Sequence, residues 1–271
     1  MSVSPPPHIG SVVSRLRAAG CVFAEDEATL LVSAASTPAE LAAMVDRRSG
    51  GEPLEQILGW AEFCGLRIAV DRGVFVPRRR SELLVREASA LIRERSTERD
   101  ARPQPVVVDL CCGSGAVGVA LVASLPELEL HSVDLDAAAV RCARRNVEGV
   151  GGRVYEGDLY GPLPAFLRGR VDVVVANTPY VPTEEIGFLP AEAREHEPLV
   201  ALDGGQDGLE VVRRVSAAAL AWLAAGGHVL VETSERQAPE ALAVMARSGL
   251  IPRLSRSDEL GATVVVGTWA G

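Results

Sequence analysis

The run VDVVVANTPYVP closes a strongly apolar strand on Asn177, Thr178, Pro179 and Tyr180, at the kind of strand end where α/β enzymes place their chemistry. The bland alternative is a plain turn, since Asn and Pro are common punctuation.

Upstream, VVVDLCCGSGAVGVAL places Asp109 at the end of a buried strand and Gly113 and Gly115 in the turn before a helix. Lacking a Cβ there lets backbone approach a flat or charged ligand closely, along Cys111, Cys112, Gly113, Ser114 and Gly115. The letters GSGAVG match G-x-G-x-x-G, although Gly118 comes after the helix should have begun, so a dinucleotide dehydrogenase stays in view. No hydride-transfer residue set accompanies it. Two further acids stand where a nucleoside would need them. Asp134 ends the next strand, in HSVDLDAAAV, where ribose hydroxyls are bound; its alternative is a helix cap for the stretch beginning at Asp136. Asp158, in YEGDLY, is expected at the same carboxyl edge, where it can accept from an adenine amino group while Leu159 packs near the ring. Otherwise it is a solvated loop aspartate.

These residues need a scaffold that brings strand ends together. Val106 to Leu110, Leu130 to Val133, Val171 to Ala176 and Val229 to Val231 are β-rich runs separated by helical stretches, the signature of a mostly parallel, Rossmann-like α/β sheet. At the end, LIPRLSRSDELGATVVVGTWA reads as two strands turning around Asp258 to Gly261, an antiparallel hairpin on the sheet edge. Residues 11 to 48 read as short helices broken near Gly20 and Pro38, with Thr37 starting the last. Leu66 to Val76 reads as extended pieces around the Asp71-Arg72-Gly73 turn, Ser81 to Arg95 as a helix, and ARPQP as a break. The division expected is a helical module over 1–50, a linker hairpin and helix over 51–102, and a catalytic domain over 103–271.

The 271 residues suffice for one medium domain and a small accessory one. Twenty-seven basic against 36 acidic residues leave a formal charge of −9, which opposes stable attachment to nucleic acid. The start MSVSPPPHIG has no leader pattern, and no stretch approaches the ~18 uninterrupted apolar residues of a membrane span, so the cytoplasm is expected. Cys21, Cys64, Cys111, Cys112 and Cys142 are odd in number and lack C-x-x-C spacing, so most are expected to be small core residues. His8, His131, His196 and His228 show no metal spacing, and no metal is expected.

Taken together, these landmarks resemble the HemK/PrmC family of protein-glutamine N5-methyltransferases. GEPLEQILGWAEFCGLRIAV, VFVPR, DLCCGSGA, NTPY and EPLVALDGGQDGL occur in the family's order, over roughly residues 25 to 267. The resemblance implies a class I S-adenosylmethionine-dependent methyltransferase fold, with that cofactor at Cys111 to Gly115, Asp134, Asp158 and Leu159. It further implies, as partner, the Gly-Gly-Gln loop of class I peptide chain release factors, docked in part on the helical module of a monomer. The Asn177 oxygen and the carbonyl of residue 178 would accept from the glutamine amide, Asn177 bordering the cofactor too, and Tyr180 would lie against the amide plane. Phe63 is as readily a core residue as a cofactor contact.

Two departures bear on the acceptor. Thr178 replaces the first proline of the family's Asn-Pro-Pro-Tyr, and Arg79, Arg80 and Ser81 stand where the family usually has Pro, an acid and Thr. Other acceptors therefore stay open: an adenine-N6 amine of nucleic acid, another protein, or a small molecule. A cofactor-binding protein without turnover is a third class.

Overall fold

The computed structural model describes residues 9–97, 104–125 and 127–271; His8, the Pro-rich start and the first three residues of ARPQP lie outside them. Four helices open the chain: α1 (Ile9–Ala18), α2 (Ala24–Ala34), α3 (Pro38–Ser49) and α4 (Leu54–Leu58). Their apolar faces meet in a core of their own around Leu16, Leu31, Leu41 and Val45. Thr37 starts α3 as expected. Its hydroxyl accepts the Glu40 N–H at 3.1 Å, and the Glu40 carboxylate reaches back to the Ser36 N–H at 2.7 Å.

A hairpin follows, β1 (Trp60–Phe63) with β2 (Leu66–Ala69), paired antiparallel with Phe63 opposite Leu66. Its reversal falls at Cys64-Gly65, not at the Asp71-Arg72-Gly73 turn expected from the sequence. Both central residues are left-handed, φ 51° and 73°, which suits the right-handed twist of a two-residue hairpin. Asp71 to Gly73 forms a separate turn, closed by the Val74 N–H on the Asp71 carbonyl at 3.1 Å, which leads the chain to α5 (Glu82–Thr97).

The main sheet holds β3 (Val106–Leu110), β4 (Glu129–Asp134), β5 (Arg153–Glu156), β6 (Val171–Ala176), β7 (Leu223–Thr233), β8 (Ile251–Ser257) and β9 (Ala262–Thr268). Between them run α6 (Ala116–Ser124), α7 (Ala137–Val147), α8 (Ala191–His196), α9 (Glu210–Ala219) and α10 (Ala238–Arg247). The order is β5-β4-β3-β6-β7-β9-β8, parallel through β7, with the C-terminal hairpin added antiparallel at the edge. β5, absent from the four β-rich runs above, is a short edge strand whose four residues are exposed or half-buried, so it carries little hydrophobic signal.

Every residue of β3 and β6 is buried, because helices cover both faces. Val107, Val173, Val175 and Leu230 pack with α5 and α6, while Val108, Val174, Ala176 and Val231 pack with α9 and α10. The chain leaves β3 toward β4 on one side and returns as β6 on the other. That reversal opens a crevice beyond the strand ends Leu110, Asp134 and Ala176, where ligands of open α/β sheets bind. Among the described residues, no helix is long and apolar enough to cross a membrane.

Candidate active site

The turn after β3 is wound tightly by three left-handed residues, Cys111, Gly113 and Gly115. A Cβ on Gly115 would stand 2.6 Å from Val147 Cγ2, so the turn can rest on α7 only as glycine. Gly118, inside α6, donates its N–H to Asp109 Oδ2 at 3.0 Å, and a Cβ there would press on that same oxygen. It thus serves close helix-to-strand packing, the part a third glycine plays in such turns. Asp109 is 1% exposed, and burial pushes its carboxyl up to about 7 against the Gly118 N–H that favours the anion.

Asp134 sits at the β4 end with both oxygens engaged from below. Oδ2 accepts the Gly113 N–H at 2.8 Å and Oδ1 the Asp136 N–H at 2.9 Å, while burial raises its pKa. It is not the helix cap: Asp136 caps α7, accepting the Ala138 N–H at 3.0 Å. Each Asp134 oxygen keeps a second lone pair for a ligand hydroxyl. Asp158 forms an ion pair with Arg214 of α9, which the sequence pattern had not marked, and Leu159 beside it is left-handed at φ 47°. Both lie at the same carboxyl edge as the glycine turn.

At the end of β6, Asn177 donates from Nδ2 to Ser81 Oγ at 3.2 Å, and among the described residues no hydrogen bond reaches Asn177 Oδ1. Thr178 is 1% exposed, and among the described residues its buried hydroxyl has no hydrogen-bond partner. Tyr180 donates to Glu232 Oε1 at 3.4 Å; burial, then the Glu232 charge, pushes its phenol up to about 12. Arg80 Nε reaches the same Glu232 oxygen at 3.0 Å, its guanidinium 5.7 Å from the Tyr180 ring centre.

The scattered sequence landmarks are parts of one clamp. Gln237 Nε2 holds the Tyr180 and Asp207 carbonyls at 2.8 and 2.9 Å, so α10 fastens the loop after β6 to the DGGQDGL segment. The Val181 N–H donates to Leu202 at 3.0 Å, and Val181 accepts from Gly204 at 2.9 Å. Arg78, of VFVPR, donates to Glu197 of EPLVAL at 2.6 Å, and the Val76 N–H meets the same oxygen at 3.2 Å. Burial raises the Glu197 pKa while Arg78 opposes it.

All the expected site residues except Gly115 line one cleft of about 600 Å³. To these the fold adds Phe75, Arg78, Arg80, Arg214 and the apolar lip of Leu189, Pro190 and Val200. Phe63 is a core residue, 1% exposed and packed in the sheet core, and it also borders the cleft. Of the cysteines, Cys112 and Cys142 are buried in hydrophobic cores and the half-buried Cys21 packs against one, as expected of most of them, whereas Cys111 is half-buried in the glycine turn and Cys64 exposed at the hairpin turn. His131 is enclosed by Tyr155 and Glu129, each at 3.0 Å, and His228 by Thr268 at 3.0 Å.

Residues 66–189 match the family described as Methyltransferase small domain. The ribosomal protein L11 methylase structure from Lactobacillus delbrueckii subsp. bulgaricus superposes with a TM-score of 0.51 at 14% identity, covering 75% of this chain and 86% of that one, a likeness of fold alone. The 4-amino-L-phenylalanine/4-methylamino-L-phenylalanine methyltransferase of Streptomyces pristinaespiralis is 38% identical, over 76% of this chain and 69% of its own. The release factor glutamine methyltransferase of Geobacter sulfurreducens is 40% identical over 235 residues, 85% of this chain and 78% of its own. A likeness of that depth over 85% of the chain makes it a member of the release factor glutamine methyltransferase family.

Proposed function

We propose that this chain transfers the methyl group of S-adenosylmethionine to the side-chain amide nitrogen, N5, of a protein glutamine, in the Gly-Gly-Gln loop of class I peptide chain release factors. The observation that carries the reading is the Asn177 carboxamide, tied to Ser81 through its nitrogen and so presenting its oxygen as an acceptor at the end of β6. A glutamine amide is a poor nucleophile because its lone pair is delocalised into the carbonyl. Accepting its two N–H bonds, one at Asn177 Oδ1 and one at the Thr178 carbonyl, turns that nitrogen toward the donor. Tyr180, held by Glu232 and flanked by Arg80, lies along the amide plane and excludes water.

The donor half of the cleft fits the cofactor. A Cβ built on Gly113 would meet nothing within 4 Å, so the turn is open above its backbone, and Asp134 is braced with lone pairs to spare for ribose hydroxyls. Asp158 and Leu159 take the adenine, the turn from Cys111 to Gly115 the middle, and the cofactor supplies a methyl group on a positively charged sulfonium. Residues 1–50 act as docking module, 51–102 as linker and 103–271 as catalytic unit, in a cytoplasmic monomer.

A second acceptor, a small aromatic amine, is favoured by the identity to the Streptomyces pristinaespiralis enzyme. One experiment separates them: methyl-labelled S-adenosylmethionine is offered with purified release factors, total cell extract and 4-amino-L-phenylalanine, and products are identified by mass. Label on the release-factor glutamine is expected. Label on the amine or another protein alone overturns the release-factor assignment.

A further inference from the structure

The lip of the cleft is carried by a helix with little hold of its own. α8 is six residues long and buries none of them, so neither its length nor an apolar face fixes where it stands. Its place still matters, because Leu189, Pro190, Glu192 and Ala193 all line the cleft. Inside its own segment, Arg194 donates to the Gly187 carbonyl at 3.2 Å and pairs with Glu195 at 3.0 Å, contacts that travel with the helix. Among the described residues, the α8 side chains make one hydrogen bond outside residues 187–196, that of Glu192 to Arg48.

Arg48, in the last turn of α3, commits its whole guanidinium to one joint. Nε and Nη2 donate to the two oxygens of Glu27 on α2 at 2.6 and 3.2 Å, and Nη1 donates both to the Glu52 carbonyl and to Glu192 Oε2, each at 3.0 Å. The Arg48 side chain is 12% exposed, so this is an enclosed joint, unlike a loose surface pair. At the other end of α8, Gln56 of α4 donates to the His196 carbonyl in a longer bond of 3.4 Å. Glu27 alone already matches the Arg48 charge within the opening helices. The bond to Glu192 is therefore surplus to their own stability, and what it holds is α8.

We propose that Arg48 is a positioning residue of the acceptor site: through Glu192 it sets the place of α8, and with it of Leu189 and Pro190, at the lip of the cleft. The proposal rests on the reading that this cleft takes the acceptor glutamine. Arg48 lies 129 residues before Asn177 in the chain and touches neither substrate. The opening helices are then part of the frame of the acceptor pocket, and a partner that engages them acts on the same joint as an acceptor in the cleft.

The test follows α8 and the reaction separately, in the complete protein. The Ala193 and Arg194 amides donate to the Pro190 carbonyl and the Glu197 amide to that of Ala193, so their hydrogen exchange reports α8. In Glu192→Ala, which leaves Arg48 on Glu27, that exchange is expected to quicken about fivefold while α3 amides keep their parental rates. For the acceptor that takes label, kcat/KM is expected to fall at least about fivefold, with S-adenosylhomocysteine affinity within about twofold of the parent. Arg48→Gln should act alike, the double variant should match Arg48→Gln within about twofold, and Arg48→Lys should keep part of the parental rate. Because Arg48→Gln leaves Glu27 unmatched, the cycle is repeated on a Glu27→Gln background, and thermal midpoints report the fold. Unchanged exchange at α8 or unchanged kcat/KM in Glu192→Ala overturns the proposal, as do effects that multiply in the double variant or an equal loss of S-adenosylhomocysteine affinity. If label goes to 4-amino-L-phenylalanine and to no glutamine, the glutamine reading fails, and the same comparison on that amine decides the role of Arg48.

Discussion

Asn177 and Ser81 are 96 residues apart in the chain and meet at 3.2 Å, amide nitrogen to hydroxyl oxygen, where the end of β6 faces the start of α5. The bond decides which end of the Asn177 amide is left for a ligand. Asn177→Ala should therefore lower methyl transfer to below about one-hundredth, combining one unpaired substrate N–H, about 1–3 kcal/mol, with lost orientation. Ser81→Ala, which only frees the amide to rotate, should cost about tenfold in kcat with little change in donor affinity. Kinetics with circular dichroism checks both; near-parental rates for Asn177→Ala would refute the amide mechanism.

Thr178→Pro should be tolerated. The carbonyl assigned to the acceptor survives in proline, and among the described residues the Thr178 N–H makes no hydrogen bond that would be lost. The buried, unpartnered hydroxyl also disappears, removing a desolvation penalty of about 1–3 kcal/mol. Activity within about threefold of the parent and an equal or higher thermal midpoint are expected. A collapse of kcat would mean that the hydroxyl itself serves the reaction.

Asp134→Ala should weaken S-adenosylmethionine and S-adenosylhomocysteine alike, by about 1.5–3 kcal/mol for a lost charge-assisted hydrogen bond. It also frees the Gly113 and Asp136 N–H groups, so Asp134→Asn, which keeps one acceptor, is the milder control. Unchanged calorimetric affinity in Asp134→Ala would remove the ribose role.

Asp109 should make stability fall as pH rises. Its folded pKa is about 7, above the ordinary 3.8, so the native state holds a proton that the unfolded chain releases between those values. Stability from this group is full below the unfolded pKa, declines through the interval and levels off above about 7. Asp109→Asn keeps an acceptor for the Gly118 N–H and should flatten that decline. Thermal midpoints from pH 4 to 8 compare the two; parallel curves would show that burial does not hold the proton.

The sheet was largely legible because its signals are local. Continuous apolar runs reported β3 and β6, since both faces of those strands are covered. Thr37 before Pro38 reported a helix start because capping is settled within four residues. The hairpin reversal at Cys64-Gly65 was misplaced because Asp-Arg-Gly is the stronger turn pattern, and a cysteine at positive φ has no compositional signature. β5 was passed over because an edge strand needs little hydrophobicity.

For the site, the chain order alone determined which groups stand at strand ends: the glycine turn, Asp134, Asp158 and Asn177 to Tyr180. Each follows from an alternation or a glycine readable within a dozen residues. Only the tertiary structure decided what those groups face. Ser81 on Asn177, Arg214 on Asp158, and Glu232 between Arg80 and Tyr180 all join segments far apart in sequence. Local rules set the direction of a strand and the wind of a turn, but which side chains meet depends on the order of strands in the sheet and on how helices from remote segments pack over their ends.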